Sequence, residues 1–558
     1  MKSLPILSAF ITTAQSCLTH LTSTRLTRAE PQTDTQSYSG RFERSLLQRK
    51  RLRMARRRRR IIVTGAITAC LVLPLGVSEF TLYRQNLAVA RESFPQGPSL
   101  RETDRLLVLV PHCDDETLGV GSTIHAARAR GIAVRVVFLT NGDGSRSTQI
   151  AEDVRRLRPN SFLQLARLRQ REAVAALVEL GVAPDDITFL GYPDGGTGLM
   201  WQRHWSADNP YKSSYTGVDH SPYANSYTPG AAYSGTQVLR DVTSIMESFR
   251  PTVVFTTHPS DTHPDHWAAY AYARAAAESL RMRPDTQAWA RDIQLLTFLV
   301  HRGLWPVPHG YHPEANLSPP AALMDTGTRW VQVPLDPGAR AAKKAALERY
   351  VSQTVFTPHY LRGFLRRNEL FGIVPVATSE PVATSEPEMV HNTNFEQPAL
   401  LLPDPTRDSP LHDMWPSADI KEVSLDEKTN SGTLTVRVEL ARPVSSRLSY
   451  RLSLHVVTED VTSAWLVKVR RHGSSVRAIV EPSVPSGEMT AQLTASGFIV
   501  ELPRHALGIT QEPCTLLISG STFLGRSQLD QTETGTLRLT EPSSILRNLQ
   551  RPSRVLIN

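Results

Sequence analysis

"LLVLVPHCDDETLGVGSTIHAARARG", residues 106–131, decides how the rest of the chain is read. Leu106–Val110 is an unbroken apolar run of strand length, and a helical pattern of small residues follows over Thr117–Arg130. Between them stand His112, Asp114, Asp115 and Glu116. Free amide N–H groups and the dipole at a helix start favour an anion. That explains one carboxylate but not three. A divalent cation explains the others, and imidazole with carboxylate suits Zn2+, with Fe2+ or Co2+ also feasible. The competing reading is a solvated polar turn.

Outward from this stretch, short apolar strands alternate with helices. Strands are expected at Leu106–Val110, Ala133–Leu139, Ile187–Leu190, Thr252–Thr256 and Leu295–Val300. Helices are expected near Thr117–Arg130, Ser161–Leu180, Thr236–Ser248, Trp267–Ser279 and Ala339–Val351. This predicts an α/β body over 100–372: a Rossmann-like, mostly parallel sheet with helices on both faces. Ligands bind such sheets beyond the carboxyl ends of the strands. Residues 198–234 interrupt the pattern with a long loop holding Trp201, Trp205, Tyr211, Tyr215, Tyr223, Tyr227 and Tyr233. Its rings suit sugar faces, or pack the loop onto its own domain. "PVATSEPVATSEP" marks a Pro/Ser/Thr-rich linker over 373–410. Alternating runs over 411–545 predict an antiparallel β-sandwich, an accessory domain with no catalytic constellation.

With 558 residues, the chain has room for two or three domains. Its net charge of +9 is concentrated at one end. Residues 1–60 hold 14 Lys/Arg against 3 Asp/Glu, leaving 48 basic and 50 acidic residues elsewhere. A nearly neutral body is not a nucleic-acid-binding one. The tail reads as disordered, with Met54 an alternative start. Residues 61–78 form 18 uncharged positions behind seven arginines, which predicts a transmembrane signal anchor over 61–83. The N-terminus is then cytoplasmic and the body extracytoplasmic, or secreted if a signal is cut near Leu87–Ala90. Cys17, Cys70, Cys113 and Cys514 have no paired spacing, which excludes a disulfide scaffold. Nothing in the sequence addresses the oligomeric state.

A second cluster closes another expected strand: "TVVFTTHPSDTHPDHWAAY", residues 252–270, with His258, Asp261, His263, Asp265 and His266. His263 and His266 share a helix face at i, i+3. His112, Asp115 and His266 together make a three-ligand set that leaves a place for water, as catalytic zinc requires. Asp114 is then placed to take a proton from that water, with His263 on the other side of a tetrahedral intermediate.

With these motifs the chain resembles the PIG-L/LmbE-like zinc de-N-acetylases over about 104–371. "PHCDDE" is similar to the family's H-P-D-D-E stretch and "HPSDTHPDH" to its H-P-D-H stretch. "NGDG" (141–144), "RQRE" (169–172) and "ALERYVSQ" (346–353) match weaker signals. The resemblance implies His112, Asp115 and His266 as metal ligands and Asp114 as general base. It implies His263 as the group that stabilises the oxyanion or protonates the leaving amine, with Asp265 orienting its ring. Arg169, Asp194 and His301 are weaker candidates for substrate contact, as are Trp201 and Trp205 in the loop. His258 and Asp261 read as groups that orient ligands, and Glu116 as a helix-start acid. Cys113 stands where the family has proline, which loosens the turn or adds a thiolate ligand.

The function this implies is zinc-dependent removal of acetyl from an N-acetylglucosamine-type sugar of an envelope glycan, glycolipid or glycoconjugate. The alternatives are metal-dependent hydrolysis of another amide, and a non-catalytic glycan-binding envelope protein.

Overall fold

The computed structural model describes residues 50–52, 54–55, 80–144, 159–355, 357–378, 399–405, 415–428, 432–482, 489–509 and 513–539. The chain divides into two units, 1–78 and 79–558. Of the first, only 50–52 and 54–55 are described, and both are helical.

The α/β part of the second unit is built on β1 (Arg105–Val110), β2 (Ala133–Thr140), β3 (Ile187–Tyr192), β4 (Val253–Thr257), β5 (Gln294–Phe298), β6 (Arg329–Pro334) and β7 (Asn368–Ile373). Their order in the sheet is β3-β2-β1-β4-β5-β7-β6. The first five run parallel, and β7 pairs antiparallel with both β5 and β6. This α/β architecture follows the expectation from the apolar runs, and β6 and β7 are additions to it.

The helices that position the site are α1 (Asp115–Ala129), α2 (Pro159–Glu179), α3 (Gly235–Phe249), α4 (Pro264–Met282) and α5 (Pro337–Leu347). α3 is a one-sided helix: Val238, Val242, Ile245, Met246 and Phe249 are buried, and Ser234 caps its start by accepting from Gln237 N–H. α1 and α4 are buried nearly all round, which explains their small side chains. At Gly119 on α1 a Cβ would lie 1.9 Å from the Phe298 ring, so only glycine lets the helix sit this close to β5.

Lys343 on α5 donates to Leu118 O and to Glu369 Oε1, both at 2.8 Å, while Glu369 also accepts from Ser122 and Thr123 N–H. Both partners are buried. Removing one charge leaves the other unpaired in the interior, so Lys343→Met is expected to destabilise the fold by about 3–5 kcal/mol. Urea denaturation of the variant checks this, and Lys343→Met/Glu369→Gln is expected to recover part of the loss.

C-terminal to this body lie antiparallel sheets. One runs, in spatial order, through Thr490–Leu493, Gly497–Pro503, Thr433–Leu440, Ile420–Lys428 and Leu400–Pro403. The other is centred on Ser449–Val457 and Cys514–Leu524, with the short Ala377–Thr378 strand added parallel to Gly535–Leu539. Leu434, Val436 and Val438 of the first share an apolar cluster with Leu452, Leu454 and Leu516 of the second.

The region also packs on the α/β body. Arg538 pairs with Glu278 of α4 at 2.8 Å, and His455 stacks on Trp201 with centroids 3.9 Å apart. α4 is therefore covered on both sides, by its own sheet and by this region, which is why its apolar surface is not confined to one stripe.

The expected membrane anchor, with the body outside the cytoplasm, is corrected. Among the described residues no helix is long and apolar enough to cross a membrane. The described end of the 61–83 stretch opens a short helix over 80–89 that carries Arg84 and Asn86. Asn86 is buried and accepts from Ala321 N–H at 2.8 Å, so this segment docks on the α/β body. Residues 61–79, most of the tail and most of the 373–410 linker lie outside the described residues.

Candidate metal centre

The strand order reverses at β1, which has β2 on one side and β4 on the other. The segments that leave β1 and β4 thus emerge side by side at a topological switch point. One begins α1 and carries His112, Asp114 and Asp115. The other begins α4 and carries His258 to His266.

There, two residues 154 positions apart meet: His112 Nδ1 stands 3.1 Å from His266 Nε2. Asp115 Oδ2 lies 3.2 Å from the first nitrogen and 3.3 Å from the second. Three donor atoms form a nearly equilateral triangle. Tetrahedral ligands at about 2.0–2.1 Å from a cation stand about 3.3–3.4 Å from one another. The residues present therefore fit a divalent cation on all three edges, and His263, Asp194, Asp265 and His301 lie close enough to extend the donor set.

The outward nitrogens are held as metal-ligating imidazoles usually are, by carboxylates. Asp261 Oδ2 is 3.1 Å from His266 Nδ1 and also accepts from the Val300 and His301 N–H groups. Asp265 Oδ2 and Asp194 Oδ1 lie 3.2 and 3.3 Å from His112 Nε2. Asp265 is itself fixed by Gly195 N–H, Thr197 N–H and the Thr197 hydroxyl.

This revises one expectation: the Asp265 carboxylate orients His112, not His263. His263 caps α4, and its Nδ1 accepts from the Asp265 backbone N–H at 3.2 Å. That contact leaves the His263 proton on Nε2.

Burial works against charge on every group here, but the acids outweigh it at the two ligand rings. Burial would lower His112, yet Asp194, Asp115 and Asp265 hold it well above the usual range. Burial likewise opposes the charge on His266, which Asp115 and Asp261 nevertheless push up to about 9. The surroundings thus favour positive charge at the triangle. Asp115 is desolvated too, but His266 and His112 keep it well below the carboxylate range.

Asp114 goes the other way: burial, with Asp115 and Glu116 adding to it, raises it to about 7 despite Arg169. His263 is lowered by burial and by His112, and His301 falls to about 4 by burial and His266.

Asp114 has φ 135°, outside the conformations L residues readily adopt. Arg169 braces this turn. Its Nη2 donates to Cys113 O at 2.7 Å, its Nη1 donates to Gly142 O at 3.2 Å, and Nη2 lies 3.4 Å from Asp114 Oδ2. A Cβ at Gly142 would stand 2.1 Å from the guanidinium, which explains the glycine of "NGDG". The Cys113 side chain turns into the apolar core and its thiol is pushed up by burial, so it is not among the donors.

The other expected site residues divide. Asp194 and His301 join the cluster, His301 with its ring 4.7 Å from His266. Arg169 reaches Asp114 and the turn behind it. Trp201 and Trp205 do not face the triangle: Trp201 is 1% exposed, and both rings pack on His455.

Two contributors escaped sequence reading. Tyr360 lies 3.2 Å from His301 Nδ1, and Tyr223 donates to Asp143 Oδ2, whose partner oxygen accepts from Asp194 N–H. Only tertiary proximity identifies Tyr360. Tyr223 stood in the aromatic loop without a distinguishing pattern.

Residues 107–277 match the family described as PIG-L, GlcNAc-PI de-N-acetylase. The chain is 30% identical over 289 residues to a 1D-myo-inositol 2-acetamido-2-deoxy-alpha-D-glucopyranoside deacetylase of Mycolicibacterium gilvum, covering 50% of this chain and 90% of that one. A protein of the same description from Mycobacterium sp. (strain KMS) is 33% identical over 187 residues, covering 33% of this chain and 54% of the relative. Among solved structures, the N,N'-diacetylchitobiose deacetylase from Pyrococcus horikoshii aligns at 19% identity over 49% of this chain and 85% of its own, with a TM-score of 0.31. The chain belongs to the PIG-L family of de-N-acetylases, which are metal-dependent hydrolases.

Proposed function

We propose that this protein is a zinc-dependent hydrolase that removes the acetyl group from an N-acetylglucosamine-type sugar. The observation that carries the reading is the triangle of His112, Asp115 and His266, whose donor atoms stand 3.1 to 3.3 Å apart. Both imidazoles have carboxylates behind them, and an acid raised toward neutrality stands beside them.

In this reading His112, Asp115 and His266 hold the cation, which supplies Lewis acidity when bound. Asp114, with its carboxyl raised to about 7, takes the proton of the attacking water. As the acetamide carbon becomes tetrahedral, His263 offers its Nε2–H to the developing oxyanion. The C–N bond then breaks, and Asp114 returns its proton to the leaving amine. Asp194 and Asp265 hold the His112 ring, Asp261 holds His266, and Arg169 keeps the Asp114 turn in its unfavourable conformation.

Tyr211 and Tyr215 support a sugar-ring substrate. They pack against Gly196 and Gly195, beside Asp194, and remain partly exposed. The shared apolar cluster of the C-terminal sheets supports reading 411–545 as a β-sandwich after an α/β domain over 100–372.

The test is acetate release from a panel of N-acetylglucosamine conjugates, including an inositol glycoside, by the full chain. Release is expected to stop with a chelator and to return with Zn2+. Release that a chelator leaves untouched, or none from any conjugate, defeats the proposal.

A further inference from the structure

The C-terminal β region reaches the loop that carries half of the metal centre. Between the strands Ser527–Gln531 and Gly535–Leu539, Thr532 O accepts the indole N–H of Trp267 at 3.1 Å, one residue beyond His266. The next residue, Glu533, accepts the hydroxyl of Ser260 through Oε1, one residue before Asp261. The 258–266 loop is thus gripped near both ends from outside the α/β body.

The grip is anchored in turn. Thr532 N–H donates to Gly520 O and Gly520 N–H to Thr532 Oγ1, each at 2.9 Å, which ties it to the long strand Cys514–Leu524. On the loop side, Ser260 N–H donates to His258 Nδ1 at 3.0 Å, and Arg302 Nη1 donates to Ser260 O at 2.9 Å. Glu533 is 6% exposed, so its carboxyl occupies an expensive place, offset by the Ser260 hydroxyl and by the charge of Arg302. Neither Thr532 nor Glu533 lies in the 107–277 stretch that matches the family.

We propose that Glu533 is a positioning residue of the metal centre. Through Ser260 it fixes the loop bearing Asp261, His263 and His266, so the C-terminal region completes the site rather than merely accompanying it. Asp261 follows Ser260 directly and sets the His266 ring, so a displaced Ser260 misplaces a ligand. The inference rests on the metal-hydrolase reading above, but its readout is cation affinity, not turnover.

The experiment uses the full chain and Co2+ as probe, following the absorption of the bound ion together with the thermal midpoint. Glu533→Ala is expected to weaken Co2+ binding several-fold, up to about 10-fold, the low end of the roughly 10- to 100-fold lost with a direct partner of a ligand such as Asp261. Glu533→Gln keeps an oxygen for Ser260 and is expected to bind near the wild-type level. Ser260→Ala is expected to match Glu533→Ala, and the double variant to be no worse than either single one.

Arg538→Ala cuts the Arg538–Glu278 pair on the same packing surface and is expected to lower the midpoint without weakening Co2+. The proposal is overturned if Glu533→Ala binds Co2+ like wild type, if the two single losses add, or if Arg538→Ala weakens binding equally. Should Glu533→Ala not fold, Ser260→Ala decides, and wild-type affinity in it overturns the proposal. A chain that shows this Co2+ pattern yet releases no acetate loses the deacetylase reading and keeps this one.

Discussion

Asp114→Asn is expected to lower kcat by about 10²- to 10⁴-fold, the usual contribution of a general base, while leaving the protein folded and metal-bound. Asparagine keeps the shape of the side chain, so it adds no steric change to a backbone held at φ 135°. It cannot take a proton.

The substitution also removes one of three neighbouring acids, since Asp115 and Glu116 both push Asp114 toward its neutral form. Relief of that repulsion offsets the loss of the carboxylate facing Arg169, so stability is expected to change little. Acetate release under saturating substrate, with metal content measured on the same sample, checks this. A kcat close to wild type with full metal occupancy would mean that the proton goes elsewhere, and the role of Asp114 would have to be given up.

The second large effect is on the cation itself. His266→Ala removes one corner of the triangle and leaves Asp261 facing the gap, still held by the Val300 and His301 N–H groups. Divalent-cation affinity is expected to fall by more than the roughly 10- to 100-fold attached to an outer partner, and acetate release to fall below detection. Asp261→Asn, which keeps the His266 ring in place but weakens its support, is expected to fall within that smaller range. Competition with a fluorescent chelator distinguishes the two. Equal losses in both variants would mean that His266 is not a direct ligand.

His112, Asp115 and His266, which the structure brings together, stood out as candidates because each lies where a strand gives way to a helix, a place where charged side chains are otherwise hard to justify. Their mutual arrangement was less legible. The Asp265 carboxylate reaches His112 because Gly195 and Thr197 N–H groups turn it that way, and those residues come from a third segment after β3. Trp201 and Trp205 looked like sugar platforms because the loop is rich in rings; the structure packs both against His455, a residue 254 positions beyond Trp201. Cys113 looked like a spare ligand, but from the turn after β1 its side chain enters the apolar core.

What the sequence determined alone was local. Apolar runs of strand length, helical spacing after them and acids with histidines at the junctions follow from backbone geometry and burial, which act over a few residues. Only the tertiary structure decided which junctions meet. The pairing of β1 with both β2 and β4 brings His112 to His266, and the packing of the C-terminal sheets on α4 carries Glu533 to Ser260. Strand order and the packing of sheets on helices come from the summed burial of whole surfaces, and no short stretch of chain contains that sum.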